Sequence, residues 1–201
     1  NALLAGRKTQ TRREHPPEPR FEPTGCNPAG LEDRTRWWDY WAMDRSETHR
    51  FKLPYAVGDR LWVREAFSYE TLDVDRNGFM PPWYWADGNP MSGDFTRPKS
   101  SIHMPRWASR LTLTVTDVRV QRLQDISAAD SIAEGVQCGT CEFMNTSACN
   151  GRGCFASIAA FQALWNSLHG PGAWEANPWV AAYSFTVHRG NIDAIKETSN
   201  D

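Results

Sequence analysis

The chain has 201 residues, 40% of them hydrophobic and 23% charged, which suits one folded domain with elaborations and excludes a disordered polymer. Its formal net charge of −2 means that the molecule as a whole does not attract polyanions, so any nucleic-acid site must be a local patch. No run approaches the ~20 apolar residues of a membrane helix, and no membrane partner is expected.

In chain order, Ala2 to Ala5 read as the last turn of a helix capped by Gly6, entered without an N-terminal cap. The sequence then turns basic at once, so no signal peptide is expected and the compartment is the cytoplasm. Arg7 to Arg13 alternate threonines with long polar side chains, which predicts a strand. Over 14–55, Pro16, Pro17, Pro19, Pro23 and Pro28 argue against long regular elements. Within that stretch, Trp37, Trp38, Tyr40 and Trp41 suit a short helix or an aromatic flap.

After a turn at Val57 to Arg60, Leu61 to Phe67 reads as a strand. Residues 68–106 form a long irregular insert punctuated by Pro81, Pro82, Gly88, Pro90, Gly93 and Pro98. Arg110 to Leu123 is the clearest strand: Leu111, Leu113 and Val115 alternate with threonines, and Asp117 marks a turn or bulge. Ser127 caps a helix over Ala128 to Glu134, with Asp130 in its first turn and Gly135 as its stop. Phe155 to Leu168 is a second helix whose apolar stripe includes Ile158, Phe161, Leu164, Trp165 and Leu168. Trp179 to His188 is a last strand, and the tail from Gly190 is polar and expected to fray. The order predicts an α+β fold, a curled antiparallel sheet with flanking helices. It is one domain over 1–190, with inserts at 14–55, 68–106 and 137–155 and a polar tail over 191–201.

Four of the five cysteines fall together, as Cys138-x2-Cys141-x7-Cys149-x4-Cys154. Four thiolates match tetrahedral zinc, and Gly139, Gly151 and Gly153 supply the tight turns that such ligands need. The expectation is one closed structural zinc knob between the two helices and no organic cofactor; two disulfides, free thiols or an iron–sulfur cluster are the alternatives.

Four segments together resemble the ASCH family of PUA-like β-barrels. They are Leu4-Ala5-Gly6-Arg7-Lys8-Thr9-Gln10-Thr11-Arg12, Val57-Gly58-Asp59-Arg60-Leu61-Trp62-Val63, the strand Leu111 to Val120, and the helix Ile126 to Gly135. The match covers about half the chain, and the run Ile102 to Ala108 resembles the larger form carried by tailed phages and prophages. The resemblance implies a PUA-like barrel with a pocket for nucleosides. Some members are amidohydrolases that cleave N4-acylated cytidine with a lysine, a threonine and a glutamate. Those roles would fall on Lys8, Thr11 and Glu134. Other members are proposed to bind RNA, and a phage accessory protein would have a host protein as partner.

The residues themselves allow both kinds of function. A threonine hydroxyl needs a base within reach, and a lysine can serve if burial or neighbouring cations such as Arg7, Arg12 and Arg13 favour its neutral form. Backbone N–H groups near Gly6 are candidates for an oxyanion site. Lys8 and Thr11 point to opposite faces of a regular strand, so sharing a pocket requires a bend after Gly6. The same cations also suit single-stranded nucleic acid, as do Trp62, Arg64, Glu65, His103, Arg106 and Trp107, since arginine and tryptophan planes stack on unpaired bases. A solvated basic edge and core tryptophans are the plainer reading of these residues.

Overall fold

The computed structural model describes residues 2–14, 21–23, 37–42, 48–71, 82–136 and 155–195; for 21–23, 37–42, 48–51 and 155–156 it describes the backbone alone. The chain is α+β and divides into two compact units. One holds Ala2–Asp59 and Val115–Thr186; the other holds Arg60–Thr114 and Val187–Asp201.

In the first unit, β1 (Gln10–Glu14) lies antiparallel to β9 (Trp179–Arg189), with Thr11 opposite Tyr183 and Arg12 opposite Ala182. Three strands, β2 (Phe21–Pro23), β3 (Trp37–Ala42) and β4 (Thr48–Lys52), form a separate antiparallel sheet in the order β2-β3-β4. The aromatic run expected as a helix or flap is therefore a strand. Its tryptophans and tyrosine have high strand propensity, and the prolines fall outside its six residues.

Ser127 caps α1 (Ala128–Ala133) by accepting the Asp130 N–H at 3.0 Å, as the sequence predicts. The second helix, α2 (Phe155–His169), ends at Gly170, whose φ of +101° suits only glycine well. The Ser157 hydroxyl donates to the Ala128 carbonyl at 3.3 Å and so ties α2 to α1. Phe161 and Trp165 of α2 pack with Leu123, Ile126, Trp174 and Val180 to form this unit's core.

In the other unit, β5 (Arg60–Trp62) pairs with the start of β8 (Leu111–Arg122), Leu61 opposite Leu113. The expected strand from Leu61 to Phe67 is broken: residues 63–66 leave the strand conformation before β6 (Phe67–Ser68), which pairs with β7 (Trp83–Tyr84). Phe67, Met104 and Ala108 form the core here, flanked by Trp62, Tyr69 and Tyr84. The long insert is not wholly irregular, since it contains β7 and 3-10 turns at Trp85–Asp87, Ser101–His103 and Arg106–Ala108.

β8 runs unbroken through Asp117 for 12 residues, so no bulge ends it there. The strand order is β1-β9-β8-β5, and among the described residues no sheet closes into a barrel. Closure would require the two edge strands to bond, and β5 ends after three residues. The described part of the tail, residues 191–195, is tied down rather than frayed. Ile192 is buried, and the Asn191 amide donates to the carbonyls of Arg106, Trp107 and Ser109 at 2.8–3.0 Å. No helix among the described residues is long and apolar enough to cross a membrane.

Candidate functional site

The site is built on the bend that the sequence required. Residues 2–6 form a turn in which the Gly6 N–H donates to the Leu3 carbonyl, and Gly6 takes a φ of +69°. The chain leaves this turn beside the end of α1: Lys8 bridges to Glu134, and the Thr9 N–H donates to the Ala133 carbonyl at 2.8 Å. Lys8 thus precedes β1 rather than belonging to it, so the strand's alternation of faces does not apply to it.

Gly135 makes this approach possible. Its φ is +88°, and a Cβ there would lie 3.0 Å from the Cβ atoms of both Ala2 and Lys8. Gly135→Ala is therefore expected to cost about 1–3 kcal/mol through backbone strain and to displace Lys8. Thermal unfolding measures the first effect, and loss of the Lys8–Glu134 contact in a variant structure the second.

Lys8, Thr11 and Glu134 line one cavity of about 210 Å³, together with Arg12, Arg13 and a wall from α2. The Lys8 ammonium donates to Glu134 Oε2 and to the Glu134 carbonyl, each at 3.0 Å. Arg12 Nη1 donates to Glu134 Oε1, also at 3.0 Å. The Thr11 hydroxyl has no hydrogen-bond partner among the described residues and is half-buried. Thr11, Arg12 and Arg13 are consecutive residues of β1, the first strand in the order of its sheet, and all three line the cavity.

The cations divide by environment. Arg7 is exposed and does not line the cavity. Arg13 is exposed, lines it, and has no acidic partner among the described residues. The Arg12 side chain is fully buried, and its charge is matched by Glu134 and, at 3.2 Å, by Asp130. Burial pulls the Arg12 pKa down, and the two carboxylates only partly offset it. Burial pushes the Asp130 carboxyl up, but the bond from Arg119 and the charge of Arg12 outweigh it and hold the group below its ordinary value.

The expected oxyanion donors near Gly6 are already used. The N–H groups of Gly6, Arg7, Lys8 and Thr9 all donate to backbone carbonyls within the turn and to Ala133. Of the cations that line the cavity, Arg12 is buried against Glu134 and Asp130, which leaves the Arg13 guanidinium and the Lys8 ammonium to face a developing negative charge.

Of the wall of Phe161, Leu164, Trp165, Leu168 and His169, the first four belong to the apolar stripe expected from the sequence, and His169 lies one residue beyond it. Phe161 and Trp165 are core, but Leu164 and Leu168 are 40% and 70% exposed, which places an apolar surface at the cavity. The His169 ring stacks on Trp165 with centroids 4.1 Å apart, and its Nδ1 lies 3.5 Å from a Glu14 carboxylate oxygen. The signal in the sequence was a stripe wider than one core contact needs, running on to a histidine at the helix end.

The other candidate binding residues lie in the second unit. Trp62 packs on its core, and the exposed Arg64 sits over the Trp62 ring at 4.6 Å. Glu65 is buried and held by Arg110 through two bonds of 2.8 and 2.9 Å, while Arg110 also clamps Asp87 and covers the Tyr84 ring. Arg106 is engaged by Asp193 at 2.8 Å. Trp107 is 43% exposed and stacks on Tyr69 at 6.4 Å; His103 is exposed on a 3-10 turn. The cysteine cluster at Cys138, Cys141, Cys149 and Cys154 lies outside the described residues. Among the described residues no group of three or more histidine, cysteine or acidic side chains is placed to hold a metal.

No protein-family model, curated protein or solved structure matches this chain.

Proposed function

We propose that this chain is an ASCH-type, PUA-related amidohydrolase that cleaves the acyl group from an N4-acylated cytidine or a related modified base. The observation that carries the reading is the single cavity shared by the Lys8 amine, the Thr11 hydroxyl and the Glu134 carboxylate. These are the three residue types that the family's hydrolases use, at the positions where its motif falls in this sequence.

In the proposed reaction Lys8 first passes a proton to Glu134 across their 3.0 Å bond. The neutral amine then accepts the Thr11 proton as the hydroxyl oxygen attacks the acyl carbon. The tetrahedral oxyanion faces Arg13 and the re-formed Lys8 ammonium. Its collapse breaks the C–N bond, and Lys8 gives the proton it took from Thr11 to the departing exocyclic amine. Water, deprotonated by the neutral Lys8, attacks the acyl–threonine ester, and Lys8 returns that proton to the threonine oxygen as the carboxylic acid leaves. The apolar wall of Leu164 and Leu168 supplies a surface for the flat face of the base or for the acyl group. Incubation with N4-acetylcytidine, with cytidine followed by chromatography, tests the reading; no turnover of any of several N4-acylated cytidines removes it.

A second reading, a non-catalytic module that reads RNA, DNA or a modified base, is favoured by the exposed Trp107 and by Lys99, whose ammonium lies 5.1 Å from the Tyr69 ring on which Trp107 stacks. Binding of short single strands that weakens steeply with salt would support it; a flat salt response counts against phosphate contacts.

A structural zinc on Cys138, Cys141, Cys149 and Cys154 belongs to the same proposal, supported by the spacing of the four thiols. Elemental analysis is expected to find about one zinc per chain, lost in Cys138→Ser together with thermal stability. A metal-free wild-type protein purified under reducing conditions without chelator contradicts it.

A further inference from the structure

We infer that Arg12 is a positioning residue for the cavity's carboxylate, holding Glu134 so that one oxygen stays aimed at Lys8. The inference rests on the catalytic reading of the cavity and adds a residue that acts through Glu134.

Glu134 divides its two oxygens between two cations. Oε1 accepts from Arg12 and Oε2 from Lys8, both at 3.0 Å. A carboxylate fixed at one oxygen by a buried, charge-assisted bond cannot rotate without breaking that bond. Arg12 is itself braced on several sides. Its Nη1 donates to Gln10 Oε1 at 2.7 Å, and the Gln10 amide in turn donates to the Ser184 hydroxyl at 3.1 Å. Its Nη2 lies 3.2 Å from Asp130 Oδ2, while Asp130 Oδ1 accepts from Arg119 at 3.1 Å. The guanidinium also lies over the Phe161 ring at 5.9 Å.

Asp130 and Glu134 stand four residues apart at the end of α1, so they share one helix face. One planar guanidinium, reaching from β1, bonds Glu134 through Nη1 and lies within ion-pair distance of Asp130 through Nη2, which makes no hydrogen bond among the described residues. A lysine in its place is a single point charge and cannot hold two acids in a fixed geometry. The buried cation is thus spent on orientation: with no exposed side-chain surface, Arg12 is not available as a solvent-facing phosphate contact.

The test is Arg12→Lys, which keeps the charge and removes the fork. With N4-acetylcytidine, kcat is expected to fall roughly 100-fold and KM to change less than about 3-fold, because a displaced catalytic group loses rate rather than binding. In a Glu134→Gln background the same substitution is expected to change kcat less than about 3-fold, since its effect passes through Glu134. Equal losses in both backgrounds overturn the inference, because a merely structural role adds.

A second readout does not depend on turnover. Acetylation of Lys8 by acetic anhydride, read by mass spectrometry, is expected to rise several-fold in Arg12→Lys and in Glu134→Gln, with no further rise in the double variant. Wild-type labelling in a folded Arg12→Lys protein overturns the inference. Should Arg12→Lys fail to fold, Asp130→Asn loosens the other arm of the clamp and is expected to raise Lys8 labelling in the same direction. Labelling that behaves as expected in a protein without hydrolase activity would sink the proposed reaction and leave the positioning intact.

Discussion

Thr11→Ala and Lys8→Ala are each expected to lower the turnover of N4-acetylcytidine by roughly 10²–10⁴-fold. In the proposed reaction Thr11 supplies the attacking oxygen, and alanine leaves only water, which no side chain tethers at the acyl carbon. In that reaction Lys8 is the proton acceptor, and its loss leaves the hydroxyl protonated. Thr11→Ser retains the oxygen and is expected to keep part of the activity, which separates loss of the nucleophile from loss of a strand-forming side chain. The Thr11 hydroxyl has no hydrogen-bond partner among the described residues and the residue is only half-buried, so these substitutions are expected to leave the fold largely intact. Wild-type rates in both alanine variants would remove the hydrolase from this cavity.

Arg12→Met is expected to destabilise the protein by about 3 kcal/mol, because it leaves one oxygen of a buried carboxylate without its cation while Lys8 still meets the other. The Glu134 side chain is only 4% exposed, so water cannot replace what arginine supplies. Each acid keeps a second cation, Arg119 for Asp130 and Lys8 for Glu134, but Glu134 is the more buried and loses a hydrogen bond, so it carries most of the penalty. The double variant Arg12→Met with Glu134→Leu is expected to recover much of the loss, since an apolar pair of similar volume needs no desolvation of charge. Urea unfolding of the two single variants and the double variant measures this directly; additive losses in the double variant contradict the account. Stability and activity thus separate at this site: the double variant regains the fold without regaining catalysis.

Much of the secondary structure was legible because it depends on local chemistry. Ser127 with Asp130 in the first turn predicted the start of α1, and the alternating leucines and threonines of β8 predicted that strand within a residue at each end. The chain from Trp37 to Ala42 was misread because a dense aromatic run fits a strand or an exposed flap equally until a partner strand is known. Among the described residues the expected barrel does not close, for a related reason. Periodicity gives the faces of a strand but says nothing about whether two edge strands meet, and β5 is too short to continue the sheet.

The sequence by itself determined which functional groups exist and that a bend at Gly6 would be needed to bring an amine beside a hydroxyl. Only the tertiary structure decided which of two adjacent arginines is buried. Arg12 and Arg13 are the same side chain on the same strand, and alternation sends one inward to meet Glu134 and Asp130 and the other outward to the cavity's rim. It also decided that Lys8 meets Glu134, a residue 126 positions away. That contact depends on the close approach of two backbones at Gly135, a distance that no local pattern encodes because it is set by how α1 docks against the start of β1.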